Sequence, residues 1–280
     1  MKTKNKMTNK GSLFVFVVSF LLILFLSSCF SSGEKQDSFY VISTNKGDLR
    51  IKLYAETPEH KEQFEHNFET SLYDGVLVHS LIKDYALSTG NVASKGVSPN
   101  RLVPYRESEE TLDAEFGVGM AKKGAIVAIA RNDEQQNEFR SDAEQFMIVI
   151  GRVYTQGELD TLELNDRNKQ LEIILQRLVQ QNRDQIDVAS RTSEIAFNRL
   201  QDSLAIEADK LLKKKELLHF SDEERLIYTT IGGLPELSRK ITIFGEVVDG
   251  FDVLDQINNE RVNERNFPLE LIKIVKTEKD

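Results

Sequence analysis

Tryptophan is absent from this 280-residue chain, cysteine occurs once, histidine four times and proline five times. A single thiol excludes an internal disulfide framework. The scattered histidines show no metal-ligand spacing, so no metal is expected. A basic surplus is missing too: the formal charge is −9, and setting aside Lys2, Lys4, Lys6 and Lys10, the only charges in residues 1–28, leaves −13. That acidity excludes nucleic acid as a partner and a broad electrostatic grip on anionic lipid. The one long apolar run, Leu13–Leu26, is broken only by Ser19 and falls short of the roughly 20 residues of a membrane span. With 40% hydrophobic residues, the rest has material for one substantial core and one appended element, with no sign of wholesale disorder.

The N-terminus is organised. Lysine-rich Met1–Ser12, the apolar run and small residues before Cys29 together read as an export signal over residues 1–28. Leu26-Ser27-Ser28-Cys29 resembles the lipobox of bacterial lipoproteins. That resemblance implies cleavage before Cys29 and lipidation of Cys29, with several acyl chains giving stable anchoring. The location implied is the cell envelope: the periplasmic face of the inner or outer membrane, or a Gram-positive surface. The plainer alternatives are an uncleaved anchor or an ordinary signal with a chance cysteine. Residues 29–37 form a short Ser/Gly and charged tether.

Residues 38–280 carry the folded domain. Ser38–Tyr54 reads as a β-hairpin turning at Asn45-Lys46-Gly47-Asp48, with Leu49, Ile51 and Leu53 on one face. Thr57-Pro58-Glu59 reads as a helix start with Thr57 as N-cap. Phe64 and Phe68, four apart, would plug a barrel end, while His60 and His66 read as solvated helix-face residues. A turn at Tyr73-Asp74-Gly75 leads into expected strands at Val76-Leu77-Val78 and Tyr85-Ala86-Leu87. Arg131–Ala143 reads as a polar loop between strands Gly124–Ala130 and Gln145–Gly151.

The stretch LYDGVLVHSLIKDYALSTGN (residues 72–91) resembles the segment YDGxxFHRVIxxFMIQGGD of the cyclophilin-type peptidyl-prolyl isomerases. The likeness continues through Ala114-Glu115-Phe116, Gln145-Phe146 and Gly232–Leu237. It is most specific in FGEVVDGFDVLDQI (residues 244–257), against the family's FGxVxxGxDVVxxI. It covers roughly residues 39–153 and 229–276. The fold implied is mainly β: a closed antiparallel eight-stranded barrel capped by two helices. The partners implied are proline-containing peptides or exported proteins. No cofactor is required, because the reaction is rotation about an X–Pro amide, slow only because it breaks resonance. A catalyst must favour the twisted amide over both planar forms.

Family members are thought to do this with an apolar slot, a glutamine and an arginine that donates to the prolyl nitrogen. By alignment the arginine position is Ser80, too short and uncharged to make that bond. Ser88 stands for the glutamine, Ala86 for a slot methionine, Met147 for the phenylalanine floor, Glu236 for a large ring and Ile241 for a histidine. Tyr85, Ala130, Gln145 and Leu237 keep their character. Arg131 replaces an asparagine and is the candidate substitute cation, against the plainer reading of a solvated loop arginine. Adjacent His79 and Ser80 are no triad, since neighbouring strand residues face opposite ways.

Residues 155–228 interrupt the barrel pattern. They lack proline and carry two amphipathic helical stripes, Leu164–Leu178 and Phe197–Leu212, separated by a polar turn at Asn182–Ser190. Ser221–Glu224 reads as a capping box. The expectation is an inserted α-helical hairpin, either packing on itself or the barrel, or serving as an arm for a protein partner or self-association. The function implied is an envelope folding factor of cyclophilin type with weak or absent catalysis. The alternatives are a non-catalytic lipid-anchored binding module gripping through the insertion, and a chaperone without isomerase activity.

Overall fold

Alternation of apolar and polar residues builds most of the sheet. In a computed structural model, which describes residues 36–98, 106–133, 138–237 and 241–280, β1 (Ser38–Thr44) and β2 (Gly47–Leu53) form the expected hairpin. Tyr40, Ile42, Leu49, Ile51 and Leu53 all point into the core. The signal-like segment and Cys29 lie outside the described residues. Among the described residues seven further strands follow: β3 (Ser80–Ile82), β4 (Ala86–Thr89), β5 (Thr111–Asp113), β6 (Ala125–Asp133), β7 (Glu138–Val149), β8 (Ile243–Asp249) and β9 (Ile274–Lys279). The order is β3-β4-β7-β6-β8-β2-β1-β9, antiparallel between all neighbours, with β5 added antiparallel to β7.

The sheet curls into a barrel but does not close as a ladder. Its end strands β3 and β9 do not pair; the seam is spanned by single bonds such as Val78 N–H to Ile272 O and Gly75 N–H to Ile274 O. The expected strand at Val76–Val78 supplies only an isolated bridge, Leu77 to Lys273, and the true strand starts at Ser80. The half-barrel thus corrects the expectation of full closure. A second correction concerns Arg131–Ala143: β6 runs to Asp133 and β7 begins at Glu138, so most of this polar stretch is strand.

Helix α1 (Pro58–Glu69) covers the core with Phe64 and Phe68. The Phe64 ring lies 4.3 Å from Phe244, 5.5 Å edge-on to Phe146 and 6.2 Å from Tyr73. Burial of such a side chain contributes about 2–3 kcal/mol. Thr57 does not cap this helix with its hydroxyl, which donates instead to Tyr54 O. The cap comes from Glu115, whose Oε1 accepts from Glu59 N–H (3.2 Å) and whose Oε2 accepts from His60 N–H (3.0 Å). His60 is fully buried rather than solvated, with Nδ1 2.6 Å from Glu115 and its ring against Phe244; His66 is exposed.

The interruption is helical: α2 (Gln156–Gln181), α3 (Arg183–Thr192), α4 (Glu194–Leu212) and α5 (Asp222–Thr230). Reciprocal capping boxes open α2 (Thr155, Glu158) and α5 (Ser221, Glu224). The expected turn at Asn182–Ser190 is mostly the short helix α3, because Asn182 and Ser193 supply the breaks at its two ends. Ile174 and Leu178 pack against Ala208 and Leu212 between α2 and α4. At the root, Tyr154, Leu159, Phe220 and Tyr228 form a separate cluster. Helix α6 (Phe251–Asn258) buries Leu254 and Ile257. It starts at Gly250, whose φ of +93° and whose approach to Asp48 O, 2.3 Å from where a Cβ would sit, admit only glycine.

Among the described residues, no helix is long and apolar enough to cross a membrane, and no cluster of three or more His, Cys, Asp or Glu could hold a metal.

Candidate functional site

Register assembles the site. Ser80 lies opposite Ser88, Ser88 opposite Met147, Met147 opposite Val127, and Val127 opposite Ile243. Directly opposed residues of an antiparallel pair share a face. These five therefore form one row across β3, β4, β7, β6 and β8, on the face away from the Phe64 core. A second apolar cluster occupies this face: Tyr54, Ala121, Ala125, Val127, Val149, Leu234 and Ile243 are buried. Tyr85, Met147, Leu237 and Ile241 sit half-buried at its margin. Four of the residues expected to line the slot are thus in one place.

Ala86 is buried opposite Val149, and Ser88 is half-buried beside Met147. Ala130 is exposed, beyond a bulge where it faces Ser141. Glu236 is half-buried, its carboxylate 3.4 Å from the Tyr154 hydroxyl. Burial raises the Tyr85 phenol above its ordinary range, and the Glu236 charge adds to that, so Glu236 lies beside this apolar patch.

No hydrogen bond or ion pair brings a cation to Ser80 among the described residues. Arg131 is committed elsewhere: its guanidinium donates to Glu107 Oε2 (2.6 Å) and Ser108 O (2.5 Å) and lies 3.8 Å from Asp142 Oδ2. Gln145 is 4% exposed, and its Nε2 donates to Arg106 O (3.0 Å) and Asp142 Oδ2 (3.2 Å).

Asp142 was not singled out by sequence reasoning, which placed it in a loop. It is 1% exposed and accepts backbone N–H from Ser108, Glu144 and Gln145, each at 2.9 Å. The available signal was its place three residues before Gln145, where a short acidic side chain turns back on the backbone. His79 is half-buried with Nδ1 sealed and unpartnered. Burial pushes its pKa down to about 4, against the opposing pull of the Asp142 charge, so it is neutral near pH 7.

The family model for "Cyclophilin type peptidyl-prolyl cis-trans isomerase/CLD" matches residues 39–168 and 226–279. The chain belongs to this family. The cyclophilin-type domain is 22% identical over 239 residues to a Staphylococcus saprophyticus protein named "Putative peptidyl-prolyl cis-trans isomerase", covering 84% of this chain and 87% of that one. A protein of the same name from Staphylococcus aureus (strain COL) is 22% identical over 230 residues, covering 82% and 85%. A crystal structure of a Cryptosporidium parvum cyclophilin-type isomerase superposes with a TM-score of 0.51 at 14% identity, covering 88% of this chain and 98% of that one. At that identity the superposition speaks for the cyclophilin fold alone. Residues 169–225, most of the helical interruption, lie between the two segments matched by the family model.

Proposed function

We propose that this cyclophilin-type domain binds proline-containing peptides in the outer-face slot and isomerises them weakly or not at all. The observation that supports binding is the convergence of Tyr85, Met147, Leu237 and Ile241 around one apolar patch. A proline ring needs such a patch and little else to be held. What argues against efficient turnover is Ser80 at the arginine position, with Arg131 engaged by Glu107, Ser108 and Asp142. Without a charge-assisted donor at the prolyl nitrogen, the twisted amide gains nothing over the planar forms. Comparing a blocked X-Pro peptide with its X-Ala counterpart tests the reading. Preference for proline supports the slot, and equal affinity removes it.

The same proposal places the domain of residues 38–280 in the cell envelope, released from its signal after residue 28 and held by lipidated Cys29 through the tether of residues 29–37. Exported proteins are then its clients. Metabolic labelling with a fatty acid, lost in Cys29→Ser, tests the anchor.

A second reading makes the helical insertion, residues 155–228, an arm for a protein partner. The observation that favours it is an excess of exposed apolar side chains there, with Val188, Ile195 and Ile206 each more than half exposed. Deleting the arm while the barrel stays folded would then abolish partner binding and leave proline binding intact.

A further inference from the structure

Gln145 has a carboxamide with two donor hydrogens and one acceptor oxygen. Both hydrogens are spent, one on Arg106 O at 3.0 Å and one on Asp142 Oδ2 at 3.2 Å. Turning the amide over would set Oε1 against a carbonyl and a carboxylate, two groups that only accept, so the orientation is fixed by chemistry. Oε1 accepts no hydrogen bond among the described residues, and it is not one of the sealed, unpartnered atoms.

Asp142 is itself immobilised. Oδ1 accepts from the Glu144 and Gln145 amides, Oδ2 from the Ser108 amide, and Arg131 stands 3.8 Å away. A carboxylate at 1% exposure, held by three backbone N–H groups, has no freedom to release the glutamine.

We infer that Asp142 is a positioning residue that locks Gln145 as an obligate acceptor, so that the groove selects a peptide backbone N–H at this point and rejects a carbonyl. This rests on the proline-slot reading, since Gln145 lies two residues from Met147 on the strand that carries the slot floor. The class of ligand is thereby narrowed to a peptide with a free amide N–H close to its proline. A segment with consecutive prolines, which lack that donor, is disfavoured.

The test uses the full chain and the blocked tetrapeptide Ala-Ala-Pro-Trp, whose indole reports binding without background because the protein has no tryptophan. Each peptide N–H is replaced in turn by an ester oxygen. The native chain is expected to lose about tenfold in affinity at one position. In Asp142→Asn the NH2 that takes the place of Oδ2 no longer accepts from Gln145 Nε2, so Arg106 O alone holds the carboxamide, Oε1 is no longer fixed, and that ester discriminates by no more than about twofold. Gln145→Met, which keeps size but has no amide acceptor, should show the same loss should the asparagine variant fail to fold. A merely structural Asp142 would weaken amide and ester peptides alike. Tight peptide binding with no sensitive position in the native chain, or the same sensitivity in Asp142→Asn, overturns the inference and leaves the proline slot standing. Absence of binding by every peptide removes the slot reading and the inference with it.

Discussion

On the proposed reading, Ser80→Arg is expected to raise the isomerase rate of the chain. Ser80 and Met147, the proposed slot floor, are two strands apart, with only Ser88 between them. Strand spacing makes that about 10 Å between backbones. A serine hydroxyl cannot bridge it, whereas a guanidinium on its long stem reaches over the small Ser88 side chain towards the floor. One charge-assisted donor aimed at charge that develops only in the transition state contributes about 3 kcal/mol, or two to three powers of ten in rate. Ser80 is half-buried and on the outer face, so the stability change should stay within about 1 kcal/mol. The assay is the cis–trans exchange rate of a short X-Pro peptide by NMR, with affinity measured alongside. A folded Ser80→Arg chain that binds the peptide as before but accelerates nothing would refute the reasoning, since the slot would then not present the prolyl nitrogen to β3.

Two predictions concern His60, which is buried, and His79, which is half-buried. Glu115→Ala should cost about 2–3 kcal/mol in urea unfolding, because it uncaps α1 and leaves buried His60 with neither ring nitrogen bonded; a loss below about 0.5 kcal/mol would mean the cap is dispensable. For His79, the folded pKa of about 4 lies below the ordinary 6.5, so between those values the unfolded chain takes a proton that the folded chain refuses. Stability should therefore fall as pH drops through that window, by up to about 3 kcal/mol, with no contribution above it. His79→Gln should remove that share of the pH dependence, and an unchanged slope would show that the imidazole already protonates in the folded protein.

What the sequence made legible was whatever packing dictates. The run from Phe244 to Ile257 yields β8 and α6 because its apolar spacing changes from strand to helix at Gly250, and Phe64 and Phe68 are read as core from their separation alone. The candidate slot residues come one by one from the family resemblance; the register of β3, β4, β7 and β6 sets Ser80, Ser88 and Met147 in one row, while Ala130 falls beyond a bulge. The polar and long-range terms were not legible. Arg131–Ala143 looked like a loop because its two strands are held by ladder bonds to each other, by β5 added to β7 and by Arg140 pairing with Thr111 and Asp113, not by apolar alternation. His60 looked solvated because its partner, Glu115, is 55 residues away. Asp142 was passed over for the same reason: Ser108 and Arg106, which share its network, approach only in the fold. The short helix α3 hid in a polar segment with no buried residue of its own.

The most direct test of the central claim is exchange NMR on a short X-Pro peptide with the native chain. The account expects the peptide resonances to broaden and shift on binding, while cis–trans exchange at catalytic protein concentration stays within a few-fold of the uncatalysed process, whose time constant is roughly tens to hundreds of seconds. Strong acceleration by the native chain would contradict it, showing that the site works without a cation at Ser80.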